Sequence, residues 1–230
     1  MTSNFAGPLH PHTFQVGAET VSALLLAPDA PRARYLFGHG AGAGMEHAFM
    51  ESAAAALAEH GIATFRYNFP YREHRRGRPD WRPVLLSTVR AAAEAAAAAL
   101  PGVPLIAGGK SMGGRMTSLA QAEAPLPGVR GLVFVGFPLH EAKKPGIQRA
   151  EHLASIDVPM LFLQGTRDAM AEFDLIRGVV AELGARATLQ VVEGADHGFR
   201  VLKRSGRAAD EIMEELAGAV GEWLSSTLRI

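Results

Sequence analysis

The chain has 230 residues, 48% of them hydrophobic and 20% charged, which are the proportions of a folded globular protein and exclude a disordered one. Lys plus Arg and Asp plus Glu both number 23, so there is no basic excess of the kind that holds nucleic acid. Cysteine is absent, which excludes disulfides, thiolate metal sites and a cysteine nucleophile.

The length suits a single domain over residues 1–230. The first ten residues carry neither a basic nor an apolar stretch of signal-peptide type, and no apolar run approaches the roughly 20 residues that cross a bilayer. A soluble, cytoplasmic protein with no membrane partner is therefore expected.

In chain order, residues 21–26 (VSALLL) read as a strand closed by the proline-rich turn at 27–31. Residues 34–37 form a second apolar run that stops at Gly38-His-Gly-Ala-Gly-Ala-Gly44. An alanine-rich helix follows over 46–60, with Gly61 as its stop. Residues 62–67 (IATFRY) are β-branched and aromatic, hence a strand, and an arginine-rich loop runs from 68 to about 82. A helix over 84–100 ends at Pro101-Gly102. A short strand at 105–107 leads into Gly108-Gly-Lys-Ser-Met-Gly-Gly114, and a helix then runs to about Glu123. Strands at 129–135, 158–163 and 188–192 and helices at 172–183 and 208–228 complete the chain. Strands and helices alternate, and the strands are continuous apolar runs. That pattern predicts one mostly parallel sheet covered by helices on both faces.

Ligands in such sheets bind beyond the carboxyl ends of the strands. The residues leaving the strands there include Ser111, Asp168 and His197, in that order along the chain. Ser111 lies in Gly109-Lys-Ser-Met-Gly113, a G-x-S-x-G turn between a strand and a helix. Small residues must flank the serine because the backbone reverses sharply there, and the helix N-terminus favours negative charge developing beside the hydroxyl. A serine needs a base, for which His197 is the candidate, and Asp168 would hold the imidazole in the correct tautomer. Asp196 is a rival acid, set aside because sequence neighbours rarely aim side chains at one another. For an oxyanion the expected donors are the amides of Met112 and Ala41, with Gly40 adjoining, while His39 braces the loop.

These strand ends resemble those of the α/β-hydrolase family over nearly the whole chain. The tracts Arg66-Tyr-Asn-Phe-Pro-Tyr71, Gly136-Phe-Pro-Leu-His140 and Gly165-Thr-Arg-Asp168 look like its small, lidless, dienelactone-hydrolase-like branch. The resemblance implies about seven or eight strands with an antiparallel start, a serine hydrolase of esters or thioesters working through an acyl-enzyme, and no cofactor. Dienelactone hydrolases use a cysteine nucleophile, whereas Ser111 stands here, so dienelactone is not implied as substrate.

About twenty residues separate Phe137 from Val158, too few for a helical lid domain. Residues 66–82 hold six arginines against Glu73 and Asp80, which is either a solvated face or, through Arg72, a contact for an anionic substrate. Lys143 and Lys144 add to the second reading. Phe69, Tyr71, Phe137 and Leu139 are expected to wall the site. A small-molecule ester or thioester is thus the expected partner.

Other readings explain less. Gly38–Ala43 fits G-x-G-x-x-A, but no carboxylate stands where a ribose would need one, near 66–68. A phosphate-binding loop at Gly109-Lys-Ser requires glycine where Pro104 stands. His10 and His12 sit in a mobile-looking start, and no H-E-x-x-H motif is present, so no metal is assigned. The remaining alternative is a hydrolase fold serving as a catalytically silent interaction scaffold.

Overall fold

The structure is a computed structural model that describes residues 7–230. Eight strands form one sheet in the order β1-β2-β4-β3-β5-β6-β7-β8. They are β1 (Leu9–Val16), β2 (Glu19–Leu26), β3 (Ala33–Gly38), β4 (Ile62–Tyr67), β5 (Leu105–Lys110), β6 (Val129–Val135), β7 (Met160–Gly165) and β8 (Ala187–Val192). β1 and β2 form an antiparallel hairpin, and β2 joins β4 antiparallel. All pairings from β4 to β8 are parallel.

The continuous apolar runs are explained by burial on both faces. In β6, Leu132 and Phe134 point into one core while Val133 and Val135 point into the other. Helices α3 (Arg82–Ala99), α4 (Met112–Glu123) and α5 (Phe173–Leu183) cover the first face. Helices α1 (Ala48–Glu59) and α6 (Ala209–Trp223) cover the second. The short α2 (Pro70–Glu73) interrupts the arginine-rich loop. None of the described helices is long and apolar enough to cross a membrane.

The chain steps from β3 outward to β4 and then returns to β5 on the other side of β3. The strand order thus reverses beside β3, and in such sheets the carboxyl edge at this point is where ligands bind. Between β6 and β7 there is only a 3-10 stretch, Gln148–Ser155, and no helical lid.

Two expectations about the fold need correction. His10 and His12 are not in a loose start: they belong to β1, and the His12 ring packs 5.7 Å from that of Phe65. The strand expected at 105–107 runs on to Lys110, because Gly108 and Gly109 continue it instead of turning.

Candidate active site

Ser111 follows β5 directly, with φ 50° and ψ −112°, a conformation a side-chain-bearing residue adopts only when its surroundings force it. The surroundings are close backbone contacts. A Cβ on either Gly109 or Gly113 would collide with the carbonyl oxygen of Gly38 at the end of β3. The glycines of G-x-S-x-G thus let β5 and α4 press against β3, which brings the first glycine loop beside the serine. A Cβ on Gly40 would lie 3.8 Å from that of Ser111.

The Ser111 hydroxyl Oγ is 2.8 Å from His197 Nε2, and His197 Nδ1 is 2.7 Å from Asp168 Oδ2. With Nδ1–H donating to the carboxylate, Nε2 is left to accept the serine proton. Ser111 and His197 are half-buried, whereas the Asp168 side chain is only 1% exposed. Its carboxylate is fully engaged: Oδ2 also accepts from Gln164 Nε2 at 2.6 Å, and Oδ1 accepts from the Met170 amide at 2.8 Å. Gln164 in turn accepts from the Phe137 amide at 3.0 Å, tying the ends of β6 and β7 together. Asp196 does something else, with Oδ1 accepting from the amides of Gly198 and Arg200 and so closing the turn that carries His197.

The glycine loop is held from beneath. His39 is fully buried; its Nε2 accepts from the Phe69 amide at 3.2 Å and its Nδ1 donates to Gly40 O at 2.8 Å. Burial pushes its pKa down to about 4, which keeps it the neutral donor–acceptor that these two bonds require. Gly40 O also accepts from the Ala43 amide at 3.0 Å. In a planar trans peptide the N–H points opposite to the C=O, so anchoring Gly40 O inward turns the Ala41 N–H away from those anchors. The amide of Met112 opens α4, where a helix leaves its first N–H groups without intrahelical partners.

Several residues expected to line the site have other roles. Phe137 and Leu139 are 1% and 0% exposed, and Phe137 packs on Phe134 and Phe162 at ring distances of 5.2 and 5.8 Å. They back the site from the core and do not wall it. Tyr71 is also fully buried, and its hydroxyl donates to Ala41 O at 2.7 Å. Phe69 is buried against Tyr67 and His39. Three of the six arginines in 66–82 are already engaged within the chain. Arg66 is buried and donates to Met45 O, Arg76 pairs with Asp80, and Arg82 pairs with Glu123. Arg72 lies against Gly44 and forms no ion pair among the described residues. Lys143 and Lys144 are exposed, and Lys144 pairs with Glu141, which leaves them little weight as substrate contacts.

Sequence reasoning passed over Gln164 and the Tyr71 bond. A polar residue ending the apolar run of β7 was a visible signal for Gln164. Nothing local marks the second, which depends on a contact across thirty positions.

A second serine–histidine contact lies further along α4, where Ser118 Oγ is 2.7 Å from His152 Nε2. That hydroxyl also donates to Arg115 O at 2.9 Å, and Ser118 is buried in mid-helix. Burial, together with the neighbouring Arg115 and Arg82, pushes the His152 pKa down to about 4.

Residues 31–225 match the family described as alpha/beta hydrolase domain, and the chain belongs to that family. Its fold is similar to that of a dienelactone hydrolase from Anabaena variabilis, with TM-score 0.74 at 20% identity over 94% of this chain and 96% of that one. An α/β serine hydrolase without a lid from Xanthomonas campestris gives TM-score 0.72 at 22% identity, over 97% and 98% of the two chains. Est1E from Butyrivibrio proteoclasticus, with ferulic acid bound, gives 0.75 at 15% identity over 95% and 100%. At these identities the likeness is one of fold.

Proposed function

We propose that this α/β hydrolase is a serine hydrolase that cleaves a carboxylic ester or thioester through an acyl-enzyme. The observation that carries the reading is the continuous relay Ser111 Oγ–His197 Nε2 at 2.8 Å and His197 Nδ1–Asp168 Oδ2 at 2.7 Å. In this mechanism Ser111 Oγ bonds to the substrate carbonyl carbon as His197 takes its proton, and the carbonyl π electrons move onto oxygen. The amides of Met112 and Ala41 receive that oxyanion. His197 then protonates the departing alkoxide or thiolate, leaving Ser111 acylated. Water, deprotonated by His197, attacks the acyl carbon, and as the carboxylic acid departs His197 returns that proton to Ser111 Oγ, restoring the hydroxyl. Asp168 keeps the imidazole in the required tautomer and stabilises the imidazolium, without itself taking up the proton.

The open edge between β6 and β7 suits a small or extended substrate, and the acid-free Arg72 beside the glycine loop suits one with an anionic group. Dissolved p-nitrophenyl acetate tests the chemistry. A burst of p-nitrophenol equal to the enzyme concentration, followed by slower turnover and absent in Ser111→Ala, is expected. A burst that persists in the variant contradicts the assignment. A half-ester such as mono-p-nitrophenyl succinate tests Arg72: Arg72→Ala should raise its KM while leaving that for the acetate nearly unchanged.

A further inference from the structure

Lys110, the residue before the nucleophile, has no part in the mechanism above. Its ammonium donates to the carbonyl oxygen of His197 at 2.6 Å. It lies over two rings, 5.8 Å from the Phe49 centroid and 5.4 Å from that of Phe199. A Cβ at Gly136 would come within 3.0 Å of Nζ. Thus α1, the turn after β6 and the loop carrying His197 all close on this one group.

The placement matters because it ties the His197 loop to the nucleophile's own strand, whereas the buried Phe199 ring, 5.9 Å from that of Phe49, seats the loop only against the core and α1. After the Arg167 amide bond to Ala195 O, its backbone bonds are local, running from Asp196 to Arg200 O and from Phe199 to Asp196 O. Asp168 holds the imidazole of His197 and Lys110 holds its main chain. Since Lys110 adjoins Ser111 covalently, one side chain links the positions of nucleophile and base across 87 residues.

The charged groups acting on the ammonium are Asp168 and Asp196, from the loops after β7 and β8, and both favour its charged form. The imidazole of His197 lies on the same loop as its acceptor. Phe49 and Gly136 bring no charge. Burial outweighs the carboxylates and pushes the Lys110 pKa down to about 8. On deprotonation the charge-assisted bond weakens and the attraction to both rings is lost.

We infer that Lys110 is a positioning residue: its protonated side chain, bonded to the His197 carbonyl, sets the reach of His197 to Ser111, and the coupling relaxes when the ammonium loses its proton. The inference rests on the proposed roles of Ser111 and His197.

The test has a kinetic and a non-kinetic arm. With p-nitrophenyl acetate from pH 6 to 10, wild-type kcat should fall through a midpoint near pH 8 with KM little changed. Lys110→Met should lower kcat by about 10- to 100-fold at pH 7 and remove that alkaline fall. Phe49→Leu retains the lysine but removes one ring that favours its charge, so the midpoint should move to lower pH. This variant keeps the test decisive should Lys110→Met fail to fold. A flat wild-type profile, a Lys110→Met kcat within twofold of wild type, or an unmoved midpoint in Phe49→Leu each overturns the inference. The second arm needs no turnover. The low-field Nδ1 proton of His197, assigned with His197→Gln, should shift or broaden in Lys110→Met at pH 7. An unchanged signal overturns the inference even if no ester is cleaved. Absent turnover beside a shifted signal counts against the hydrolase reading alone and leaves the Lys110 coupling supported.

Discussion

Helix α4 and the residue that caps it carry two serine–histidine contacts of nearly equal length, 2.8 Å at Ser111 and 2.7 Å at Ser118. Only the first has the remaining parts of a nucleophile. Ser111 stands at the helix N-terminus, half-buried at the carboxyl edge of the sheet, and its histidine is backed by a carboxylate. Ser118 is buried in mid-helix, spends its proton on Arg115 O, and faces a histidine flanked by arginines. An imidazole beside cations is poorly suited to take up a proton, because the imidazolium it would form is repelled. A short Ser–His distance therefore says little by itself; the acid behind the base and the polar groups around the hydroxyl decide what the pair can do.

The largest expected contrast lies between the serines. Ser111→Ala should lower kcat for p-nitrophenyl acetate by something on the order of 10⁶ with the far-ultraviolet circular dichroism unchanged. Equal turnover in the variant would erase the distinction. Asp168→Asn should cost about 10⁴, because the amide leaves His197 without its anion and favours the wrong tautomer. A milder loss comes from Tyr71→Phe, which frees Ala41 O. Losing one bond of about 1 kcal/mol should slow acylation by about fivefold if the glycine loop supplies a donor, and an unchanged rate would remove Ala41 from that role. Ser118→Ala should leave kcat within about twofold and lower the unfolding free energy in urea by about 1 kcal/mol.

A separate contrast concerns pH and stability. His39 and His152 are both held neutral in the folded chain, with pKa values pushed down to about 4 from 6.5. The unfolded chain binds protons at these sites from about pH 6.5 downward, so the stability that the two neutral histidines contribute should decline between 6.5 and 4, and that contribution levels off below. Urea titrations across that range should show a shallower decline in His152→Phe than in the wild type. Parallel curves would mean that His152 binds protons as readily folded as unfolded.

The sequence made some of this legible and hid the rest for physical reasons. β4 and β6 could be read to the residue because glycine or polar residues bracket their apolar runs. β1 escaped notice because it pairs on one side only, with β2, so it tolerates Pro11 and exposes most of its side chains. The glycines of β5 looked like a turn, although close backbone contacts inside the sheet are what require them. Ser111, Asp168 and His197 were legible because the fold delivers the ends of parallel strands to one edge. Phe137 and Leu139 were misplaced because an apolar residue near a site reads the same whether it lines the site or fills the core behind it. Lys110 and Tyr71 act on backbone atoms of distant loops, and no sequence pattern records such a contact.

Peptide mapping after treatment with a fluorophosphonate probe bears most directly on the contrast between the two serines. A single phosphonyl adduct on Ser111, formed by the folded wild type and lost in Ser111→Ala, is the expected result. An adduct on Ser118, or a folded protein that takes up no label, would contradict it and shift the assignment to a hydrolase fold kept as an interaction scaffold.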